Sequence, residues 1–138
     1  MTERALEIRQ AYGATIADKG YTHIMGTQSL PSKINPSVGY VIGGLWKETI
    51  MERNTRGEFD FVEFSEAWGR YASFIKNYPM NNIGIGTWIH LDKIYFDIVE
   101  YSGSLEYAMQ SAKAREEIAI WDCENQKEIP VTTETIEA

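Results

Sequence analysis

One cysteine, Cys123, stands among 138 residues, so the chain has no internal disulfide and its own core must hold it together. With no disulfide framework and no apolar N-terminal leader, a reducing, intracellular and therefore cytoplasmic setting is expected. No apolar run approaches the roughly 18 residues of a membrane span, which predicts a soluble chain without membrane association. Histidine is almost as scarce, with only His23 and His90. Phosphate-cradling glycine motifs are missing too. Neither Gly-x-x-x-x-Gly-Lys-Ser/Thr nor Gly-x-Gly-x-x-Gly occurs; Gly84-Ile85-Gly86 comes nearest, but position 89 is Ile and the segment continues as a strand. No metal and no cofactor is expected.

Positive charge is also in short supply. Lys and Arg number 13 against 20 Asp and Glu, for a net charge of −7. Residues 1–57 hold seven basic and five acidic groups, whereas residues 58–138 hold six and fifteen. An acidic second part cannot displace counterions from a nucleic-acid backbone, so direct nucleic-acid binding is not expected. It suits a basic partner surface, imitation of a phosphate backbone, or plain solubility.

What the chain does contain is most legible in residues 83–131. Ile83, Ile85, Ile89 and Leu91 alternate, as do Ile94, Phe96 and Ile98, and period two means one buried face of a sheet. The spacing predicts strands 83–91 and 94–101 joined at Asp92-Lys93. Leu105, Ala108, Met109 and Ala112 then follow helical spacing over 104–115, with Ser102 or Ser104 as N-cap. Ile118, Ala119, Ile120 and Trp121 form a continuous apolar run, which predicts a central strand over 118–123 buried on both faces.

Upstream, residues 2–19 read as an amphipathic helix capped by Thr2. Ala5, Ile8, Tyr12 and Ile16 form its stripe, and Gly20 is placed to be its left-handed terminator. Residues 21–37, with Gly26, Pro31 and Pro36, read as a long loop carrying a structural or solvated His23, and such a loop offers one wall for a site. A strand is expected over 38–43, with a bend or bulge at Gly43-Gly44 and a further strand possible over 46–51, where Lys47, Glu48 and Glu52 face outward. Residues 53–57 form a basic turn. Asp60, with Glu63 three positions on, caps the clearest helix; its stripe of Phe61, Phe64, Trp68, Tyr71 and Ile75 is read as core, although such a stripe can also stack bases, and Tyr78-Pro79 ends it.

The residues with chemical promise gather on the hairpin. Trp88, His90, Tyr95, Asp97 and Glu100 are the candidate binding residues, since alternation puts His90 and Asp97 on the non-core face with Trp88 and Tyr95, and carboxylates beside a histidine suit metal binding or acid-base work. Asp92 lies close by. Cys123 beside Asp122 is read as buried and inert. No residue is assigned a catalytic role.

Residues 38–131 also carry a resemblance. Gly39-Tyr40-Val41-Ile42-Gly43-Gly44-Leu45, Ile85-Gly86-Thr87-Trp88 leading to Tyr95-Phe96-Asp97-Ile98-Val99, and Glu117-Ile118-Ala119-Ile120-Trp121-Asp122 with Asn125 and Glu128-Ile129 are similar to uncharacterised small accessory proteins of tailed phages and mobile elements. The likeness assigns no functional residue and leaves residues 1–37 outside it. It implies an accessory protein acting inside a bacterial cell on a host or defence component.

The expected architecture is therefore a single α+β domain over 1–138: an N-terminal helix and loop (1–37), a core (38–131) and a tail (132–138). A mainly antiparallel sheet of four to five strands packs against two or three helices. The expected function is non-enzymatic binding of a macromolecular partner, a protein, through the acidic surface. Two alternatives stand beside it: a small enzyme or small-molecule-binding domain on the polar hairpin face, and a nucleic-acid mimic.

Overall fold

A computed structural model describes residues 2–25, 33–46, 50–78 and 82–131. In chain order the elements are α1 (Glu3–Asp18), β1 (Gly20–Ile24), β2 (Lys33–Ile34), β3 (Tyr40–Trp46), β4 (Ile50–Glu52), α2 (Phe61–Lys76), β5 (Ile83–His90), β6 (Lys93–Ser102), α3 (Leu105–Ala114), β7 (Ala119–Asp122) and β8 (Lys127–Pro130). The class is α+β and every strand pairing is antiparallel. The strand count exceeds the expected four to five: eight strands form one sheet in the order β2-β1-β5-β6-β3-β7-β8, with β4 also paired to β6.

The three additional strands share a cause. β1 lies where a loop was expected, because Thr22 and His23 break the apolar pattern of Tyr21 and Ile24, and only pairing with β5 across some 60 positions makes the segment a strand. β2 is two residues long, and β8 is largely exposed. Neither carries an apolar alternation. The expected features at Gly26, Pro31, Lys47, Glu48 and Pro79, and the tail over 132–138, lie outside the described residues.

The β5–β6 hairpin is the centre of the sheet, in continuous register from Ile83↔Glu100 to His90↔Lys93. Its turn is Leu91-Asp92, not Asp92-Lys93. Leu91 sits at φ 56° with 78% of its surface exposed, so it is a turn residue and not a member of the buried row. The expected bulge is present: register shifts between Ile42 and Trp46 around Gly43-Gly44, and Gly44 takes φ 91°, which a glycine adopts without steric cost.

Cross-strand partners share a sheet face. Ile83, Ile85, Thr87 and Ile89 therefore lie with Ile94, Phe96, Ile98 and Glu100, and this face receives the helices. α2 brings Phe64, Ala67, Trp68, Tyr71 and Ile75 onto it, close to the predicted stripe, and Asp60 caps the helix by accepting from Val62 N at 2.8 Å and Glu63 N at 3.3 Å. α1 begins at the Thr2 cap, whose Oγ1 accepts from Ala5 N at 3.0 Å. Its buried face is Ile8, Ala11 and Thr15 rather than the stripe ending at Ile16, which is 41% exposed. Thr15 explains the rotation: its hydroxyl donates to Ala11 O and bonds Thr87 Oγ1 at 2.6 Å, so a polar residue is satisfied in the core. The left-handed terminator is Lys19, at φ 64°, while Gly20 already belongs to β1.

α3 lies on the same face farther along. It starts at Ser104, whose Oγ accepts from Tyr107 N, and Ala108 and Ala112 let it approach Ile42 and Ile120 closely. β7 is not buried on both faces as its apolar run suggested. Ile118 precedes it at 89% exposure and Trp121 is 40% exposed, because none of the helices among the described residues covers its outer side. No helix among the described residues is long and apolar enough to cross a membrane.

Candidate functional site

Among the described residues, no helix lies on the other side of the sheet. The apolar cluster on it, Ile24, Val41, Val99 and Cys123 with Tyr101 against them, is drawn entirely from strands and the residue just past β7. Close strand approach helps bury it. A Cβ at Gly84 would run into the backbone carbonyl of His23, so only glycine lets β1 lie where it does against β5.

Toward the hairpin tip this face becomes aromatic and open. Trp88 and Tyr95 are directly opposed in the β5–β6 register, and their rings stack with centroids 5.3 Å apart and planes 13° from parallel. Tyr95 is opposed on its other side by Ile50 of β4, which is 52% exposed. Three neighbouring strands thus present Trp88, Tyr95 and Ile50 in one row. Charged pairs rim it: Glu52 Oε1 with Lys93 Nζ at 3.7 Å, and Asp92 Oδ1 with Arg53 Nε at 3.6 Å. Trp121, opposed to Val41 and through it to Tyr101, adds a second exposed aromatic on the same face beyond the apolar cluster.

The five predicted binding residues divide. Trp88 and Tyr95 come together on this face. His90 is exposed at the end of β5, beside the turn. Asp97 shares the parity of Tyr95 but is buried, and its carboxylate accepts from Gly44 N at 3.2 and 3.0 Å. Glu100 lies on the helix-bearing side. Its Oε2 accepts from Tyr107 Oη at 2.6 Å and its Oε1 pairs with Arg115, whose other nitrogen donates to Gly43 O. The expectation that groups Glu100 with the other four on the polar hairpin face is corrected: an odd and an even position on one strand face opposite ways, so it stands on the other side from Asp97.

Around the glycine bulge Asp97 meets a different carboxylate, that of Glu117. A Cβ at Gly43 would collide with Asp97 Oδ2 and press on Glu117 Oε1, and one at Gly44 would press on Glu117 Oε2. The paired glycines are what admit both side chains. Arg115, Tyr107 and Glu117 had no local signal to mark them, because their partners are 7 to 72 positions away in sequence. Ile50 and Trp121 were likewise invisible as members of a face until strand order was known.

A second polar group lies under α1. Tyr21, His23 and Trp68 are buried with ring centroids 5.9 to 6.2 Å apart, and Glu7 Oε2 stands 3.9 Å from His23 Nδ1. Burial pushes the His23 imidazole below its ordinary value, with Glu7 opposing, and burial together with Glu7 pushes the Tyr21 hydroxyl up to about 12. His23 is thus a core residue of a strand, neither a loop residue nor a solvated one. Cys123 is 3% exposed, and burial with the neighbouring Asp122 charge raises its thiol to about 11. Among the described residues no group of three or more His, Cys, Asp or Glu is arranged to hold a metal ion.

No protein-family model, no curated protein and no solved structure matches this chain.

Proposed function

We propose that this chain is a non-enzymatic accessory protein of a phage or mobile element, acting inside a bacterial cell by binding a protein partner on the helix-free face of its sheet. The row of Trp88, Tyr95 and Ile50 carries the reading. Large, stiff aromatic side chains held open on a rigid sheet are the residue types that dominate binding energy at protein interfaces. The stack fixes both rings before any partner arrives, which lowers the ordering cost of association. The partner's chemistry follows from charge. The net charge of −7 favours a partner of opposite sign, and the ion pairs Glu52–Lys93 and Asp92–Arg53 at the rim of the row suit an apolar surface bordered by charged side chains of both signs. An aromatic sheet face also suits single-stranded bases, but the acidity of residues 58–138 opposes the counterion release that such binding needs. An enzymatic reading on the same hairpin has less support, because His90, Asp97 and Glu100 do not converge on one point.

The test compares capture from bacterial lysate by the wild-type chain, by the Trp88→Ala/Tyr95→Ala double variant and by Val62→Ala, a substitution on exposed α2 surface. One protein held in stoichiometric amount by wild type and Val62→Ala, weakened by salt and lost from the double variant, is the expected result. With the purified partner, Trp88→Ala alone is expected to weaken Kd by about 30-fold, the equivalent of about 2 kcal/mol. Equal capture by the double variant, or no capture by wild type, refutes the reading.

A further inference from the structure

We infer that the cleft between α1 and residues 53–61 is a binding site for a small amphipathic anion, an apolar body bearing one carboxylate or sulfonate. The cleft is open to solvent and has a volume of about 570 Å³, within the roughly 300–1,000 Å³ of small-molecule sites. Tyr12, Ile16, Phe59, Phe61 and Ile89 give it apolar walls. Its charged residues are Lys19, Arg53 and Glu58, and Arg53 is paired with Asp92 at 3.6 Å. The Lys19 ammonium, outside any ion pair among the described residues, is the first argument for an anion. A cation is poorly served, because the protein's own guanidinium groups already cover two of the aromatic rings, Arg53 over Phe59 at 4.7 Å and Arg9 over Phe61 at 5.1 Å.

The cleft also gathers both departures of α1 from ordinary helix chemistry. Gly13 sits in the interior of the helix, at a cost of about 1 kcal/mol relative to alanine, and no close packing requires it, since a Cβ there would meet nothing within 4 Å. Its effect is to leave the cleft wall bare. Lys19 is held left-handed at φ 64° one position before a glycine that would take that conformation freely. Its backbone carbonyl accepts from Ile89 N at 3.0 Å, which fixes the residue at the cleft, and its ammonium enters no ion pair among the described residues. Local rules broken without a packing return are expected at functional positions. Arg53 hangs from the same end, its backbone N bonded to Asp92 O at 2.9 Å and its Nη1 to Gly57 O at 2.8 Å. Glu58 and Asp60 lie toward Tyr12, whose hydroxyl they push up together with burial. The anionic head therefore belongs at the Lys19–Arg53 end, and the apolar body runs along Ile16 and Phe61.

The test is a fluorescence titration of the full chain with 8-anilinonaphthalene-1-sulfonate, followed by displacement with octanoate. Expected are one saturable site per chain, displacement by octanoate and a Kd that rises with salt. Gly13→Trp, which fills the cleft, and Ile16→Glu, which places a carboxylate at its 41%-exposed wall, should each weaken binding at least tenfold. Lys19→Gln should weaken it severalfold and flatten the salt dependence. Gly13→Ala should raise Tm, and Ile118→Ala, at an 89%-exposed position before β7, should leave Kd unchanged. Absence of a saturable site, failure of octanoate to displace the dye, or affinity indifferent to Ile16→Glu or to Lys19→Gln overturns the assignment.

Discussion

Arg115→Met is the substitution with the most to say about how this fold is closed. The Glu100 carboxylate is 2% exposed, and it is held by Arg115, by Tyr107 Oη at 2.6 Å and more weakly by Asn82 Nδ2 at 3.4 Å. Methionine keeps the aliphatic stem of Arg115 and removes only the charge. It strands a buried carboxylate with one strong neutral donor, a loss of about 3–5 kcal/mol by the usual cost of breaking a buried pair. For a chain of this length each kcal/mol is about 3–5 °C, so Tm should fall by about 10–20 °C. A companion variant separates charge from packing. The Glu100→Met/Arg115→Met double variant should recover much of the loss, because an apolar pair needs no counterion. Urea denaturation followed by tryptophan fluorescence reads both. A cost under about 1 kcal/mol for Arg115→Met, or a double variant no more stable than the single, refutes the view that this pair anchors α3 to the sheet.

Other expectations follow from single residues. Leu91→Asn should stabilise the chain by about 0.5 kcal/mol in urea titrations, since asparagine tolerates the left-handed turn and little burial is lost at 78% exposure; a loss of stability would show that Leu91 is not strained. His23 is held below its ordinary value, so the unfolded chain takes up a proton that the folded chain refuses. Stability should therefore fall as pH drops below about 6.5, by at most about 1.4 kcal/mol per unit, until the folded-state value is passed. His23→Gln should reduce that slope between pH 7 and 5, and an unchanged slope rules His23 out as its source. Cys123, with its thiol at about 11 and 3% exposed, should react with a disulfide reagent at pH 8 only as fast as the chain opens; immediate labelling of the native protein contradicts its burial.

The sequence was most informative where local chemistry and tertiary packing agree. Asp60 announces α2 because its carboxylate caps the helix without help from any distant residue, and the aromatic stripe of α2 is core because its width matches a sheet face. Alternation likewise puts Trp88 on one face with Tyr95, whereas Glu100, grouped with them for its chemistry, belongs by its even position to the other face. The misreadings arise where a distant partner decides. β1 looks like loop until Gly84 makes room for it, and α1 turns Thr15 inward because Thr87 waits there, a match no periodicity encodes. The ion pair of Glu100 with Arg115 and the exposed row through Ile50 depend on strand order, which local patterning leaves open.

Strand order also sets a timetable for synthesis. β1 is matched to β5 about 60 residues downstream, as in the pairing of Ile24 with Gly84, and β3 and β4 both wait for β6. A ribosome adding about 5–20 residues per second leaves β1 with only α1 and the two-residue β2 for company during roughly 3–12 seconds. Throughout that interval the first half of the chain must hold Tyr21, Ile24, Val41 and the α2 aromatics without the sheet that will cover them. Once the central hairpin emerges, β1 on one flank and β3 and β4 on the other gain their templates together, so the fold closes late and from the middle outward.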